Sequence, residues 1–301
     1  MKLKWIDSEI TSIETVEGRL TLKGLFIPLF IEQLLMNMMG TVNTLILGHY
    51  SDSAVAAVGA ANQVMGLIYT FYAVISGGAS IVISHRLGAG DEQEAEKTAF
   101  AAFIVGTGTS LLCSVVMVAL SYPVIGMLNL EGNVLEMAEE YFRICVGFSF
   151  FQGIISGFSA ILRSYGHSKE AVKVSLLMNI INALLNYLVV YRPIEIPLYG
   201  TRGIAIANVI SHLIAVGVIV FYFFKSGITH SMWFKNWKAL KCVREILHVG
   251  IPGGISSLSY SMSQVVSTAI LAVLGTIALS TKVYISSVVF YVSVVGYSLG
   301  A

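Results

Sequence analysis

Eight stretches are apolar enough to read as helices crossing a bilayer, each crossing needing about 20 mainly apolar residues. They are 24–48, 54–83, 97–121, 141–162, 171–191, 203–224, 247–273 and 279–301. Several exceed one straight crossing, so tilted helices or interfacial ends are expected. Ile27–Pro28 and Ile251–Pro252 are expected to open their helices in the first turn, where proline is tolerated, with a kink in a longer helix as the other reading. Residues 1–20 contain Asp7, Glu9, Glu14 and Glu17 and no apolar core, so no cleavable leader is expected there.

Composition supports a membrane protein. Of the 301 residues, 56% are hydrophobic and 12% charged, against about 25% charged in soluble domains. An ordinary soluble enzyme and a disordered chain are excluded. The net charge of +1 provides no field for nucleic acid. Cys113, Cys145 and Cys242 are far apart and suggest neither disulfides nor a zinc site. The connections on the N-terminal side hold 14 of the 18 Lys and Arg residues; Arg143, Arg192, Arg202 and Lys282 fall on the other side. The positive-inside rule then gives a multi-pass protein of the cell (plasma or inner) membrane with a cytoplasmic N-terminus.

Shifting the chain by 224 positions aligns residues 27–54 with 251–278, with ten identities and no gap, among them Pro28 with Pro252 and Thr44 with Thr268. The first span thus corresponds to the seventh, and the repeat unit is six spans. An even number returns the chain to its starting side, so the two bundles run parallel, an arrangement that places ligand sites between them. The expected fold is an all-α membrane protein: a six-helix N-terminal bundle plus the first two helices of a second. Its parts are a cytoplasmic segment 1–23, a first lobe 24–224, a linker 225–246 and the start of a second lobe 247–301. Two units would need more residues than the chain has, so it is expected to be a fragment. In the linker, Trp233, Trp237 and Leu240 alternate with Lys235, Lys238 and Lys241. That suits an interfacial helix tethering the lobes, or equally an aromatic-belt loop.

Polar groups at bilayer depth are costly and mark candidate sites. The first span has Glu32 and, about 20° away around the helix, Asn43. Gln33, Asn37 and Thr44 extend the same polar side, opposite Leu34, Leu35, Met38 and Leu45. On the fifth span Ser175, Asn179, Asn182 and Asn186 form a stripe flanked by Tyr187. The stripe is either a cavity wall for a cation or polar substrate, or hydrogen-bonding glue between helices. Glu32 is either an ion-responsive acid or, about 12 Å from the cytoplasmic end, one that reaches headgroups. His212 is a lone intramembrane histidine, more in keeping with a structural hydrogen bond than with a ligand. No phosphate-binding loop, HExxH motif or nucleophile elbow occurs, so neither ATP hydrolysis nor another enzyme activity is expected, and no cofactor.

The stretch Glu32–Asp52, followed by Val55–Gly59 and Asn62–Gln63, resembles the first two helices of multidrug and toxic compound extrusion (MATE) transporters. His85–Asp91, Arg163–His167, the Asn179, Asn182, Asn186–Tyr187 series and Gly203–Ala207 resemble later parts of the same family. The resemblance implies two six-helix lobes and H+- or Na+-coupled export of small, often cationic or amphipathic compounds by alternating access, the complete protein acting as a monomer. Many members carry aspartates where Asn43 and Asn186 stand here, and those acids are thought to form the first lobe's cation site. An amide does not titrate, so proton coupling at these positions is excluded, whereas Na+ near Asn43, Asn182 and Asn186 is not. Glu32 is then the expected ion-coupling group, with Gln33, Asn37, Asn43, Asn179, Asn182, Asn186 and Tyr187 lining the cavity. The alternatives are a lipid-linked saccharide flippase of the same superfamily, or a scaffold or receptor subunit that transports nothing.

Overall fold

A computed structural model describes residues 12–15, 18–191, 199–228 and 242–300. Among the described residues a short antiparallel hairpin, β1 (Ser12–Thr15) and β2 (Gly18–Thr21), leads into ten helices. These are α1 (Leu22–Gly48), α2 (Asp52–Gly88), α3 (Glu92–Ala119), α4 (Ser121–Gly126), α5 (Gly132–Gly147), α6 (Phe150–Ser164), α7 (Ser168–Tyr191), α8 (Gly200–Lys225), α9 (Cys242–Ala272) and α10 (Thr276–Gly300). Among the described residues, α2, α3, α7 and α8 are long and apolar enough to cross a membrane, and the bent α5–α6 pair, taken as one span, has the length and apolarity for a fifth. The hairpin and α4 are absent from the sequence-based expectation. The interfacial-helix reading of Trp233, Trp237 and Leu240 lies outside the described residues.

Local chemistry fixes the helix ends. The Ser51 hydroxyl accepts from the Ala54 N–H at 3.0 Å and starts α2. Asp91 does the same for α3 through Glu94 N at 3.1 Å. Such caps satisfy donors that a first turn leaves unpaired. Between these helices Gly90 takes φ +77, a conformation glycine adopts without cost.

α2 is the axis of the bundle, packing on α1, α3, α5, α6, α9 and α10. The run Ala54–Ala61 is buried at every position, as befits a helix enclosed on all sides. Small side chains let its neighbours come close. One core cluster joins the first half of α2 to α5, and another joins its second half to α3, α6, α7 and α8.

Two expectations are corrected. The span read as 141–162 is not one helix: α5 and α6 meet at a 46° bend. The break is stabilised from outside. The Ser114 hydroxyl on α3 is shared between the carbonyls of Val146 (2.7 Å) and Gly147 (2.6 Å), and the Tyr72 and Ser149 hydroxyls are 2.9 Å apart. Carbonyls released from a helix at bilayer depth need such partners. The prolines also fall differently. α9 starts at Cys242, within the expected linker, so Pro252 lies in the helix interior, and Pro28 lies past the first turn of α1.

α2 and α9 cross at backbone contact. A Cβ at Gly78 would stand 2.4 Å from the Ile246 carbonyl oxygen and 2.8 Å from the Gly250 Cα, whereas one at Gly77 would meet nothing within 4 Å. Gly78→Val is therefore expected to cost about 1–3 kcal/mol through overpacking and to lower the thermal midpoint of the purified protein. Gly77→Ala should leave it unchanged; equal midpoints for the two variants would contradict this crossing.

Candidate functional site

The asparagines of α7 are spaced at i and i+4, which puts Asn182 and Asn186 on one face. That face meets α1, and the two helices bring three of the sequence-derived site residues together. The Asn186 side-chain amide donates to the oxygens of Asn43 and of Asn182, the latter at 2.9 Å. Asn182 donates to the Asn208 oxygen on α8, which also accepts from Asn43 at 3.4 Å. Asn208 donates to the Tyr141 hydroxyl on α5 at 2.9 Å, and that hydroxyl donates to Asn62 on α2 at 3.1 Å. Six polar side chains from five helices thus form one connected network. All four asparagines of its core are buried.

The network leaves one acceptor over. The Asn186 side-chain oxygen, in a residue 0% exposed, is the single buried side-chain polar atom without a partner among the described residues. An unpaired buried amide oxygen costs free energy. It needs a donor, a water or a cation.

A cavity of about 320 Å³ adjoins the network. Asn43, Asn62, Tyr141, Asn208 and His212 supply its polar lining, and Met65, Tyr69, Phe148 and Met178 its apolar lining. His212 places one ring nitrogen 2.7 Å from the Asn208 carbonyl oxygen, a structural bond within α8. Phe148 comes from the α5–α6 break, so the bend delivers an aromatic ring to the cavity. The volume lies in the range of small-molecule sites.

Other expected residues stand elsewhere. Asn179 donates to the Ser175 carbonyl at 2.8 Å, a bond within its own helix; like Asn182 and Asn186, which belong to the network behind the cavity, it is not among the lining residues. Tyr187 is half exposed and stacks on Tyr191 with ring centroids 4.8 Å apart, on the outside of α7. The side chains of Glu32, Gln33 and Asn37 lie outside the described residues, although their helix is described. Sequence reasoning missed Asn208, Tyr141 and Asn62 as members of one site. Asn208 is a single amide in an apolar span, and that was its only signal. Among the described residues no group of three His, Cys, Asp or Glu side chains is placed to hold a metal. What the site offers a cation is neutral amide oxygen.

Long apolar helices packed around an amide-lined cavity are those of a multi-pass membrane protein. The chain belongs to the MatE family, whose model matches residues 28–188, more than half of its length. It is 34% identical over 275 residues to the uncharacterized transporter YisQ of Bacillus subtilis, covering 90% of this chain and 60% of YisQ. It is 29% identical over 270 residues to the probable multidrug resistance protein NorM of Thermotoga maritima, covering 87% and 56%. Among solved structures it matches the MATE multidrug transporter DinF-BH, with a TM-score of 0.81 and 22% identity over 91% of this chain and 61% of that one. A MOP superfamily transporter from Pyrococcus furiosus gives a TM-score of 0.78 at 22% identity, covering 91% and 60%. These two likenesses concern the fold. The chain spans about 60% of the length of the relatives it matches. The relatives are transporters, not enzymes.

Tyr141→Phe removes the bridge between Asn208 and Asn62 and leaves both without that partner. A loss of about 1–3 kcal/mol of stability is expected, read as a lower midpoint in detergent unfolding. Tyr187→Phe, on the exposed face, should change nothing measurable. A silent Tyr141→Phe would show that the network does not hold the five helices together.

Proposed function

We propose that this chain forms the first lobe, and the beginning of the second, of an ion-gradient-driven exporter of small cationic or amphipathic compounds. The observation that carries the reading is the amide network, with its orphaned Asn186 oxygen, whose Asn43, Asn62, Tyr141 and Asn208 line a cavity of ligand size. The aromatic and methionine side chains of the lining suit an apolar ring system, and its amide and hydroxyl groups suit a polar or charged end.

Coupling follows from charge. Asn43, Asn182, Asn186 and Asn208 cannot gain or lose a proton in the physiological range. A hard cation such as Na+ takes oxygen ligands, and these amides present oxygens. To bind one, Asn186 need only keep its free oxygen toward the ion, while Asn43 or Asn182 rotates its oxygen to join it. Proton coupling would fall to Glu32, the single carboxylate of the first span. The two lobes would rock so that the cavity opens to one side at a time. The lysine and arginine bias puts the N-terminus in the cytoplasm.

The test is efflux of a cationic dye by the complete transporter in proteoliposomes under an imposed Na+ or H+ gradient. Na+-driven efflux that disappears in Asn186→Leu is the expected result. Glu32→Gln is expected to abolish any H+-driven efflux with expression intact. Efflux driven by either ion and unchanged in both variants would remove these residues from the mechanism.

A further inference from the structure

A second cavity lies far from the amide network, at the end of the α2–α9 pair where α2 finishes and α9 begins. It has a volume of about 540 Å³. α2 lines it with Ile81, Val82, His85 and Arg86, and α9 with Arg244, Glu245, His248 and Val249. Both sets fall at i, i+1, i+4 and i+5, so each helix presents one continuous stripe. The Gly78–Gly250 crossing is its floor. Between Gly78 and Arg86 the wall rises about 12 Å.

The two stripes are graded alike along the helix axis. Ile81, exposed at 57%, and Val82 lie nearest the crossing on α2, and His85 and Arg86 lie one turn further out. On α9 the order is Val249 and His248, then Glu245 and Arg244. The groove is apolar toward the crossing and basic at its mouth.

The charges are not all available. Arg86 is held in place: one guanidinium nitrogen donates to the Glu94 carbonyl at 2.9 Å, to the Cys242 sulfur at 3.4 Å and to the Thr98 hydroxyl, and the other to Glu245 at 2.5 Å. A carboxylate oxygen of Glu94 lies 3.4 Å away. These contacts neutralise both Arg86 and Glu245. Arg244 is exposed and makes no ion pair among the described residues, and His85 and His248 beside it are exposed donors. One uncompensated cation flanked by two imidazoles, above an apolar floor that includes the exposed Ile81, matches one phosphodiester anion carrying an acyl chain. Basic pockets between membrane helices hold anionic headgroups in this way.

We propose that this groove is a binding site for an anionic phospholipid, whose phosphate meets Arg244 and His248 while its acyl chain lies along Ile81 and Val249. It rests on the reading of α2 and α9 as membrane helices, and not on the proposed export. A lipid seated there touches both α2 and α9, the pair that joins the first lobe to the start of the second.

Native mass spectrometry of the full chain, released from micelles doped with either phosphatidylglycerol or phosphatidylcholine, tests this. The wild type is expected to retain phosphatidylglycerol preferentially. Arg244→Gln should reduce that retention about fivefold, the effect of one basic group near a headgroup. Arg244→Lys should keep it, and Arg202→Gln at the other end of the bundle should not lower it. Arg244 is exposed, so folding is not at risk; the midpoint of each variant checks this. Equal retention of the two lipids would overturn the proposal, as would retention that ignores Arg244→Gln. So would displacement of the lipid by millimolar inorganic phosphate, which would make the ligand a free anion. Because efflux is measured separately, loss of lipid retention with dye export intact sinks the lipid site alone.

Discussion

An amide buried in a helix bundle within a bilayer has no water to fall back on, and each of its polar atoms must find a partner in the protein. Asn43, Asn182, Asn186 and Asn208 meet that demand almost entirely through one another. Because they come from α1, α7 and α8, and because Asn208 passes the chain of bonds on to Tyr141 and Asn62, the registers of five helices are tied together. Shifting any one helix by a turn would leave several groups unpaired. The same constraint explains the broken fourth crossing, where Ser114 reaches across from α3 to the carbonyls that the bend releases.

Against that satisfied background, one dissatisfied atom is informative. The Asn186 oxygen is enclosed and unpaired, while the neighbouring amide nitrogens direct their bonds to other oxygens. Buried polar atoms left in that state are uncommon, and each asks for an explanation. A bound cation supplies one without adding a proton to the account. The cavity alongside, part aromatic and part amide, explains why such a site would matter to a transported molecule: occupancy of the amide cage and of the cavity share Asn43 and Asn208.

Much of the fold was legible in the sequence, because hydrophobic length alone fixes how many helices can cross and roughly where. The α5–α6 bend was not, and for Pro252 the sequence left open whether it opens its helix or lies within a longer one. The bend depends on tertiary partners, Ser114 among them, that no local pattern announces. The candidate site was half legible. Asn182 and Asn186 announce themselves by an i, i+4 stripe of amides in an apolar span, and Asn43 by lying on the polar side of its helix. Asn208 and Tyr141 are single polar residues on their helices, so periodicity had nothing to register. Asn179 and Tyr187 show the opposite error: a helical wheel reports a face but not the partner each side chain takes, and Asn179, about 20° from Asn186, bonds to its own helix while Tyr187 stays half exposed.

The proposed cation site binds without titrating, and the thermal midpoint of the purified chain reads this, measured in sodium against potassium chloride at equal ionic strength, at mildly acidic and mildly alkaline pH. A saturable rise with sodium is expected, the same at both pH values and absent in Asn186→Leu. A midpoint indifferent to sodium, or a sodium effect that fades on acidification, would contradict it.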